Sequence, residues 1–401
     1  MPRLKIAMLA ACPFPWARGT PARVLRLSEA LCERGHEVHV VTYHLGDRSV
    51  ALPFQVHRIP RLPTYRKTAP GPSLQKLALL DPLLALTLRR VLRQERIDVI
   101  HAHHYEGLLV SAWAQMGTAR LPIVYDAHTT LESELPSYGP PLAGALKARV
   151  GREIDRWLPG RAGHIVAVTE QIRERLVQVA GVPAGRVTVA PNGVELERFA
   201  QSRSARRRGG DGAGQVYTLG YAGNLAPYQG IDLLLLAAKK VLDVRRDVRL
   251  VVATGSPTAK WEAEARRLGI GAHVEFANPD LDALPGVLAG FDVALNSRPY
   301  CDGIPSKLLN YMAAGKPIVS FQGSARGVRE DALLAVPGEA AEAFAAAVLR
   351  LLDEPDLARC LGERALRAAM EDHSWARTAE IVEGVYMRTL GRTNKAEGIA
   401  S

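Results

Sequence analysis

Nine residues in the second half of the chain, Asp302-Gly303-Ile304-Pro305-Ser306-Lys307-Leu308-Leu309-Asn310, bring together a carboxylate, a hydroxyl, a cation and an amide side chain. They follow a strand expected at 293–296 and the loop Arg298-Pro299-Tyr300-Cys301, and Pro305 is expected to open a helix running through Tyr311 and Met312. Ser306 and Asn310 are then one helical turn apart on the same face, and Lys307 lies near the amino end, where exposed amides also draw an anion. Singly, Ser306 reads as a helix cap, Asp302 as a turn residue and Asn310 as a solvated position. As a set, followed by the small-residue turn Ala313-Ala314-Gly315-Lys316-Pro317, they offer what a nucleoside-diphosphate sugar needs: groups for hydroxyls and charge for phosphate.

Other loops carry weaker signals. Gly19-Thr20-Pro21 opens a helix that runs to Glu33 and stops at Gly35, with Thr20 expected as the cap, Pro21 at the first helical position and the amides facing an anion. One glycine is not the dinucleotide fingerprint, so a plain helix cap is the competing reading. The segment from Gly220 to Asp232 places Gly223 after a strand and Gly230 before a helix, with Asn224 and Gln229 able to meet a phosphate or a sugar hydroxyl; the glycines equally mark a tight turn. His101, His103 and His104, with Asp126, His128, Glu132 and Glu134, raise a metal-dependent hydrolase, because His101 and His103 share a strand face. That reading leaves the second half of the chain without a purpose, and no metal is expected.

The elements that must position these residues alternate, short β-branched runs with longer helical patterns, as in parallel sheets built from βαβ units. Strands are expected at 5–10, 37–42, 99–102, 122–127, 164–168 and 187–189, then at 218–222, 249–253, 274–276, 293–296, 317–320 and 333–336. The pattern divides into a first domain at 1–200, a flexible glycine-rich linker at 201–215, a second domain at 216–374, a helix at 375–390 returning to the first domain, and a polar tail at 391–401. Ligands of open parallel sheets sit beyond the carboxyl ends of the strands, so two such sheets are expected to face a cleft.

Composition narrows the setting. The chain of 401 residues is 47% hydrophobic and 23% charged, with a formal charge of +10. Its cysteines, Cys12, Cys32, Cys301 and Cys360, are scattered without metal-ligand spacing, which suits a reducing, cytoplasmic compartment. No run reaches the roughly 20 apolar residues of a membrane span. Residues 58–96 hold nine Lys/Arg against Asp81 and Glu95, a pattern that fits either contact with an anionic membrane or a solvated helical face. Nucleic acid is not expected, because the basic residues lack interleaved aromatics or a reading module.

With these residues in view, the sequence resembles the retaining GT-B glycosyltransferases of the group 1, family 4 type. The resemblance runs from Lys5 to about Leu390 through Gly35-His36-Glu37-Val38, Asp98-Val99-Ile100-His101-Ala102-His103, Val189-Ala190-Pro191-Asn192-Gly193-Val194, Gly220-Tyr221-Ala222-Gly223 and the segment from Asp302 to Pro317. It implies two Rossmann-like doubly wound domains and transfer of a sugar from a nucleoside-diphosphate sugar, a co-substrate rather than a cofactor, to a glycan or lipid-linked acceptor. It further implies that Asp302, Gly303 and Ile304 address the sugar, that Pro305, Ser306 and Lys307 line diphosphate and ribose, and that Asn310 meets ribose hydroxyls. Ala277, Asn278 and Pro279 would lie against the base, His128 beside the reacting sugar, and Gly19 and Thr20 over the phosphates. The chain departs from the family pattern where Asp302 and Asn310 replace glutamates, and where Asn224 and Gln229 replace an arginine and a lysine; Lys307, Arg298 or Arg18 are the cations available to compensate. The expected activity is retaining transfer without metal in envelope or exopolysaccharide assembly, at the inner face of the plasma membrane. A sugar-nucleotide epimerase and a non-catalytic binding relative are the alternatives.

Overall fold

A computed structural model describes residues 2–16, 19–63, 65–66, 75–117, 120–138, 144–206, 216–301 and 303–391. The chain folds as two compact units, residues 1–192 together with 375–401, and residues 193–374. In the first, strands β1 (Lys5–Ala10), β2 (Glu37–Thr42), β3 (Gln55–Arg58), β4 (Val99–His103), β5 (Ile123–Ala127), β6 (His164–Ala167) and β7 (Val187–Val189) form one sheet. Its helices are α1 (Thr20–Glu33), α2 (Asp81–Gln94), α3 (His104–Ala114), α4 (Leu131–Glu134), α5 (Gly144–Trp157) and α6 (Glu170–Gln178). The second unit has helix α7 (Leu196–Arg206), strands β8 (Tyr217–Ala222), β9 (Val248–Ala253), β10 (Val274–Ala277), β11 (Val293–Asn296), β12 (Ile318–Phe321) and β13 (Leu334–Val336), and helices α8 (Ile231–Val244), α9 (Ala259–Arg267), α10 (Leu284–Ala289), α11 (Ser306–Ala313), α12 (Ala341–Asp353) and α13 (Pro355–Asp372). The last helix, α14 (Trp375–Thr389), belongs to the first unit.

Every strand pairing is parallel, in the orders β3-β2-β1-β4-β5-β6-β7 and β10-β9-β8-β11-β12-β13. Strands covered on both faces are mostly apolar, which is why β1 carries the continuous run Ile6-Ala7-Met8-Leu9-Ala10. The order reverses between β1 and β4 in one sheet and between β8 and β11 in the other, and at such switch points a crevice opens beyond the strand ends. Both units pin this strand pair in the same way. Asp98 accepts from the Lys5 amide at 2.9 Å, and Asp292 accepts from the Thr218 amide at 2.7 Å.

Helix α14 is tied to the first sheet by burial of Ala379, Val382, Val385 and Tyr386 in the core shared with Leu4, Ile6, Val24 and Leu27. Glu383 on the same helix accepts from Arg34 and meets His36 at 3.1 Å. Three expectations change. Residues 201–206, expected in the flexible linker, continue α7, where the Arg203 guanidinium donates to the Ala313 carbonyl at the carboxyl end of α11; residues 207–215 lie outside the described residues. The division between units falls at Asn192–Gly193 rather than at residue 200. An unexpected edge strand, β3, pairs with β2.

Candidate functional site

In the second unit the loops leaving β10, β9, β8 and β11 stand side by side in the order of their strands, at Asn278, Thr254, Gly223 and Ser297. The ladder continues past the strand ends, with Gly223 N donating to Ala253 O at 3.0 Å and Thr254 N to Ala277 O at 2.7 Å. Lys307, on the first turn of α11, turns inward at the β8/β11 switch point. Its ammonium donates to Gln229 Oε1 at 2.6 Å and to the Tyr221 hydroxyl at 2.9 Å, and sits 4.1 Å from the centroid of the Tyr221 ring. Burial among these neutral partners, with Arg298 as a nearby like charge, pushes the Lys307 amine down to about 7. An incoming anion would restore what these partners lack.

Around this lysine the expected residues gather. Tyr221 donates onward to the Asn224 carbonyl at 2.7 Å, and the Gln229 amide donates to Asn224 Oδ1 at 3.3 Å. Gln229 is itself buried, so its side chain holds Lys307 instead of reaching outward, while Asn224 is exposed. Gly223 places its Cα hydrogens where a Cβ would come within 3.3 Å of Lys307 Cε and of the Tyr221 hydroxyl. Gly230, at φ 65°, leads into α8 where a Cβ would lie 2.2 Å from the Ser297 carbonyl, so only glycine fits both conformation and space. Ser297 closes the loops by donating to the Gln229 carbonyl at 2.9 Å. Arg298 follows it and lies 4.8 Å from the centroid of the exposed Tyr228 ring, whose hydroxyl is 3.4 Å from Asn224 Nδ2.

The other expected residues of this unit are more dispersed. Pro305 is the N-cap of α11 and Ser306 its first residue, one position later than expected, because Pro305 holds extended backbone at ψ 131°. Ser306 is exposed and Asn310 partly so. Ile304 packs into the core with Val328, and Gly303 is partly exposed. Ala277 is the last residue of β10 rather than a loop residue; Asn278 follows, near Gly255, and Pro279 is partly exposed. Asp302 lies outside the described residues, as does Arg18. Tyr221 was not singled out in the sequence; the available signal was a tyrosine two residues before the loop glycine, on the same strand face.

In the first unit, Asp126 on β5 is fully buried and gathers cationic and imidazole groups around its Oδ2. Arg23 of α1 donates to it at 2.8 Å, His101 Nε2 stands at 3.1 Å and His103 Nδ1 at 3.3 Å. The Tyr386 hydroxyl meets His101 Nδ1 at 2.8 Å. Since a carboxylate only accepts, His101 Nε2 donates to Asp126. Arg23 also donates to the carbonyls of Ala190 and Pro191 and to Asn192 Oδ1. The cluster continues to the expected residues: His103 Nδ1 is 3.3 Å from His128 Nε2, and His128 Nδ1 is 3.2 Å from Thr20 Oγ1. Burial outweighs the Asp126 charge and pushes His128 down to about 3, so its ring is neutral. Arg23 and the imidazoles hold the Asp126 carboxyl well below its ordinary range despite burial.

Thr20 therefore does not cap α1. Gly19 is the N-cap at φ 65°, and the Thr20 hydroxyl is engaged by His128. His101, His103 and Asp126 do offer ligand atoms within 4.8 Å of one another. The Arg23 guanidinium already stands on the shared carboxylate oxygen, Asp126 Oδ2, which therefore faces a fixed protein cation. Arg23 was missed in the sequence, although it sits on the apolar stripe of α1 with Leu27 and Ala30, where a lone arginine signals a buried partner.

The surroundings of the basic segment also differ from a continuous surface patch. Lys76 is buried and donates to Glu106 at 2.6 Å, and Arg58 donates to the Leu45 carbonyl at 3.1 Å. Leu77, Leu79 and Leu86 are exposed. No described helix is long and apolar enough to cross a membrane.

Comparison with known proteins adds independent findings. Residues 17–198 match the model of Glycosyltransferase Family 4, and residues 216–354 that of Glycosyl transferases group 1. The D-inositol 3-phosphate glycosyltransferase of Acidothermus cellulolyticus is 30% identical over 439 residues, spanning 99% of this chain and 93% of its own length. The protein of the same name from Kribbella flavida is 29% identical over 405 residues, spanning 95% and 93%. Among solved structures, Anabaena HepE in complex with UDP matches with a TM-score of 0.73 at 18% identity, over 96% of this chain and 100% of that one, a likeness of fold.

Proposed function

Because the chain belongs to the group 1, family 4 type glycosyltransferases and has their GT-B fold of two parallel-sheet units, we propose that it is a retaining enzyme that moves a sugar from a nucleoside-diphosphate sugar to an acceptor hydroxyl. The observation that carries this reading is Lys307, a buried cation with neutral partners at the switch point of the second sheet. A diphosphate supplies the missing negative charge, and charge stabilisation is the main requirement of a departing diphosphate. The solved complex of HepE with UDP supports the choice of ligand class.

In the proposed reaction the bond between the anomeric carbon and the diphosphate oxygen breaks, and a bond from the acceptor oxygen forms on the same face. The acceptor proton passes to the departing diphosphate, so no protein nucleophile and no metal are required. Lys307 stabilises the leaving group from within the unit, and Arg298, held on Tyr228, adds the charge that Asn224 and Gln229 do not carry. Ser306 and Asn310 address the ribose, Asn278 the base, and Asp302 with the Gly303 and Ile304 amides the sugar. Neutral His128 hydrogen-bonded with Thr20 orients hydroxyls rather than transferring protons. The acceptor belongs to a cell-envelope or exopolysaccharide glycan, and the enzyme works on the cytoplasmic side of the membrane.

The test is incubation with labelled nucleotide sugars and a panel of acceptors that includes inositol 3-phosphate, the acceptor in the relatives' names. Nucleotide release coupled to a new glycoside of retained configuration supports the reading. An isomerised donor makes the chain an epimerase, and donor binding without turnover makes it a binding protein; either result overturns it.

A further inference from the structure

Among the described residues, helix α5 of the first unit is fixed on one side and exposed on the other. A Cβ on Gly151 would lie 2.5 Å from the backbone of Leu131, so the helix axis approaches α4 closely. One turn on, Asp155 accepts from the amides of Leu131 at 3.1 Å and Glu132 at 2.9 Å, which caps α4 with a carboxylate from α5. Ile154 packs against the core of the unit. These contacts leave α5 no freedom to roll.

The outward face is therefore defined by the same residues, and it is apolar. Leu146, Val150 and Trp157 are 66%, 48% and 50% exposed. At 100° per residue they fall within about 40° of arc, one narrow stripe along the helix. Arg149, Arg152 and Arg156 follow one flank, and Arg161 lies 5.5 Å from the centroid of the Trp157 ring. The acidic residue among them is Glu153, paired with Arg156 at 2.7 Å, and Arg152 pairs with Glu132 at 2.5 Å. Exposed pairs of this kind exchange readily for another anion. An ordinary surface helix turns its apolar stripe to the core; α5 turns a second one, edged by arginines, to solvent.

We infer that α5 docks the first unit on an anionic lipid bilayer, with Leu146, Val150 and Trp157 entering the interface and Arg149, Arg152, Arg156 and Arg161 meeting lipid phosphates. A single stripe with an indole at its end and guanidinium groups along its edge matches the boundary between acyl chains and headgroups. These residues are distinct in sequence from the basic segment at 58–96. The inference deepens the envelope setting proposed above, but its test uses neither donor nor acceptor, so either reading can fail alone.

Full-length protein is mixed with vesicles of phosphatidylcholine containing about a third phosphatidylglycerol, and with pure phosphatidylcholine vesicles. Binding is expected to the first and not the second, reversed by salt, with quenching of tryptophan fluorescence by brominated lipid that Trp157→Phe removes. Leu146→Ser, Val150→Ser and Trp157→Ser together are expected to weaken partition by roughly tenfold or more. Arg149→Gln with Arg156→Gln is expected to do so by a similar factor while leaving the apolar stripe and the circular dichroism unchanged. The control pair Leu86→Ser and Arg93→Gln on α2 leaves binding as it was. Absence of binding to anionic vesicles, equal binding to neutral ones, quenching that survives Trp157→Phe, loss through the α2 pair alone, or a dimer abolished by the triple substitution each overturns the inference.

Discussion

Replacing Lys307 with methionine separates the charge from the chain that carries it. Burial holds the amine at about 7 in the folded protein, against an ordinary value of 10.5. Below pH 7 both folded and unfolded states carry the proton, and the full penalty of burying the charge is present. Between pH 7 and 10.5 the unfolded chain keeps a proton that the folded one has released, so stability rises with pH. At about 1.4 kcal/mol per pH unit, the gain from pH 7 to pH 9 is on the order of 2–3 kcal/mol. Lys307→Met abolishes that slope, because no titrating group remains. It leaves Gln229 Oε1 and the Tyr221 hydroxyl without their ammonium donor, which offsets part of the relief at about 1–3 kcal/mol for each group left unpaired. Transfer should fall by roughly a hundredfold to a thousandfold in kcat, the usual effect of removing one charge-stabilising donor. Urea unfolding at pH 7 and pH 9, followed beside turnover at saturating donor, measures both. An unchanged pH slope in the variant, or near-wild-type turnover, refutes the assignment. Donor affinity in the wild type moves the opposite way from stability, declining above pH 7 as the ammonium is lost.

Three further outcomes follow from the same geometry. Arg298→Ala should raise KM for the donor by about tenfold or more, and Asn224→Arg in the same chain should recover much of it, since the loss is of charge rather than shape; failure of the double variant to recover would show that Arg298 only packs on Tyr228. His128, held near 3 in the folded state, is protonated first in the unfolded chain, so stability drops as pH falls below 6.5, by about 2 kcal/mol between pH 6.5 and pH 5 from this residue; chemical unfolding that is flat across this window refutes the buried-neutral assignment. Asp126→Asn leaves the Arg23 guanidinium buried without its counter-charge and should destabilise the protein by about 3–5 kcal/mol in equilibrium unfolding; a change below about 1 kcal/mol would mean that the carbonyls of Ala190 and Pro191 suffice to hold it.

Much of the architecture was legible from hydropathy. Parallel strands buried on both faces tend to be apolar runs, and all twelve expected runs overlap observed strands to within one residue at each end. The last of them, 333–336, begins one residue late at Leu334, because Leu333 follows a short helical turn. Edge strand β3, Gln55-Val56-His57-Arg58, escaped because an edge needs no such run, and its alternation of polar side chains reads as loop. Residues 201–206 read as linker because the composition is polar, yet one long-range bond from Arg203 to the end of α11 supports a helix there.

Sequence alone determined which residue types stand at the ends of which strands, because the alternation of elements places loops at the carboxyl edge of a parallel sheet whatever the long-range contacts are. That was enough to gather Gly223, Asn224, Gln229 and Lys307 in one unit and Thr20 and His128 in the other. Their states were decided by tertiary structure. Lys307 is a buried amine near neutrality because Tyr221 and Gln229, far away in sequence, enclose it with neutral groups. The histidines that share a strand face meet a carboxylate that is already held by a cation, because Arg23 arrives from α1 to pair with Asp126. Charge and protonation depend on solvation and on partners brought from distant segments, and no local pattern encodes them.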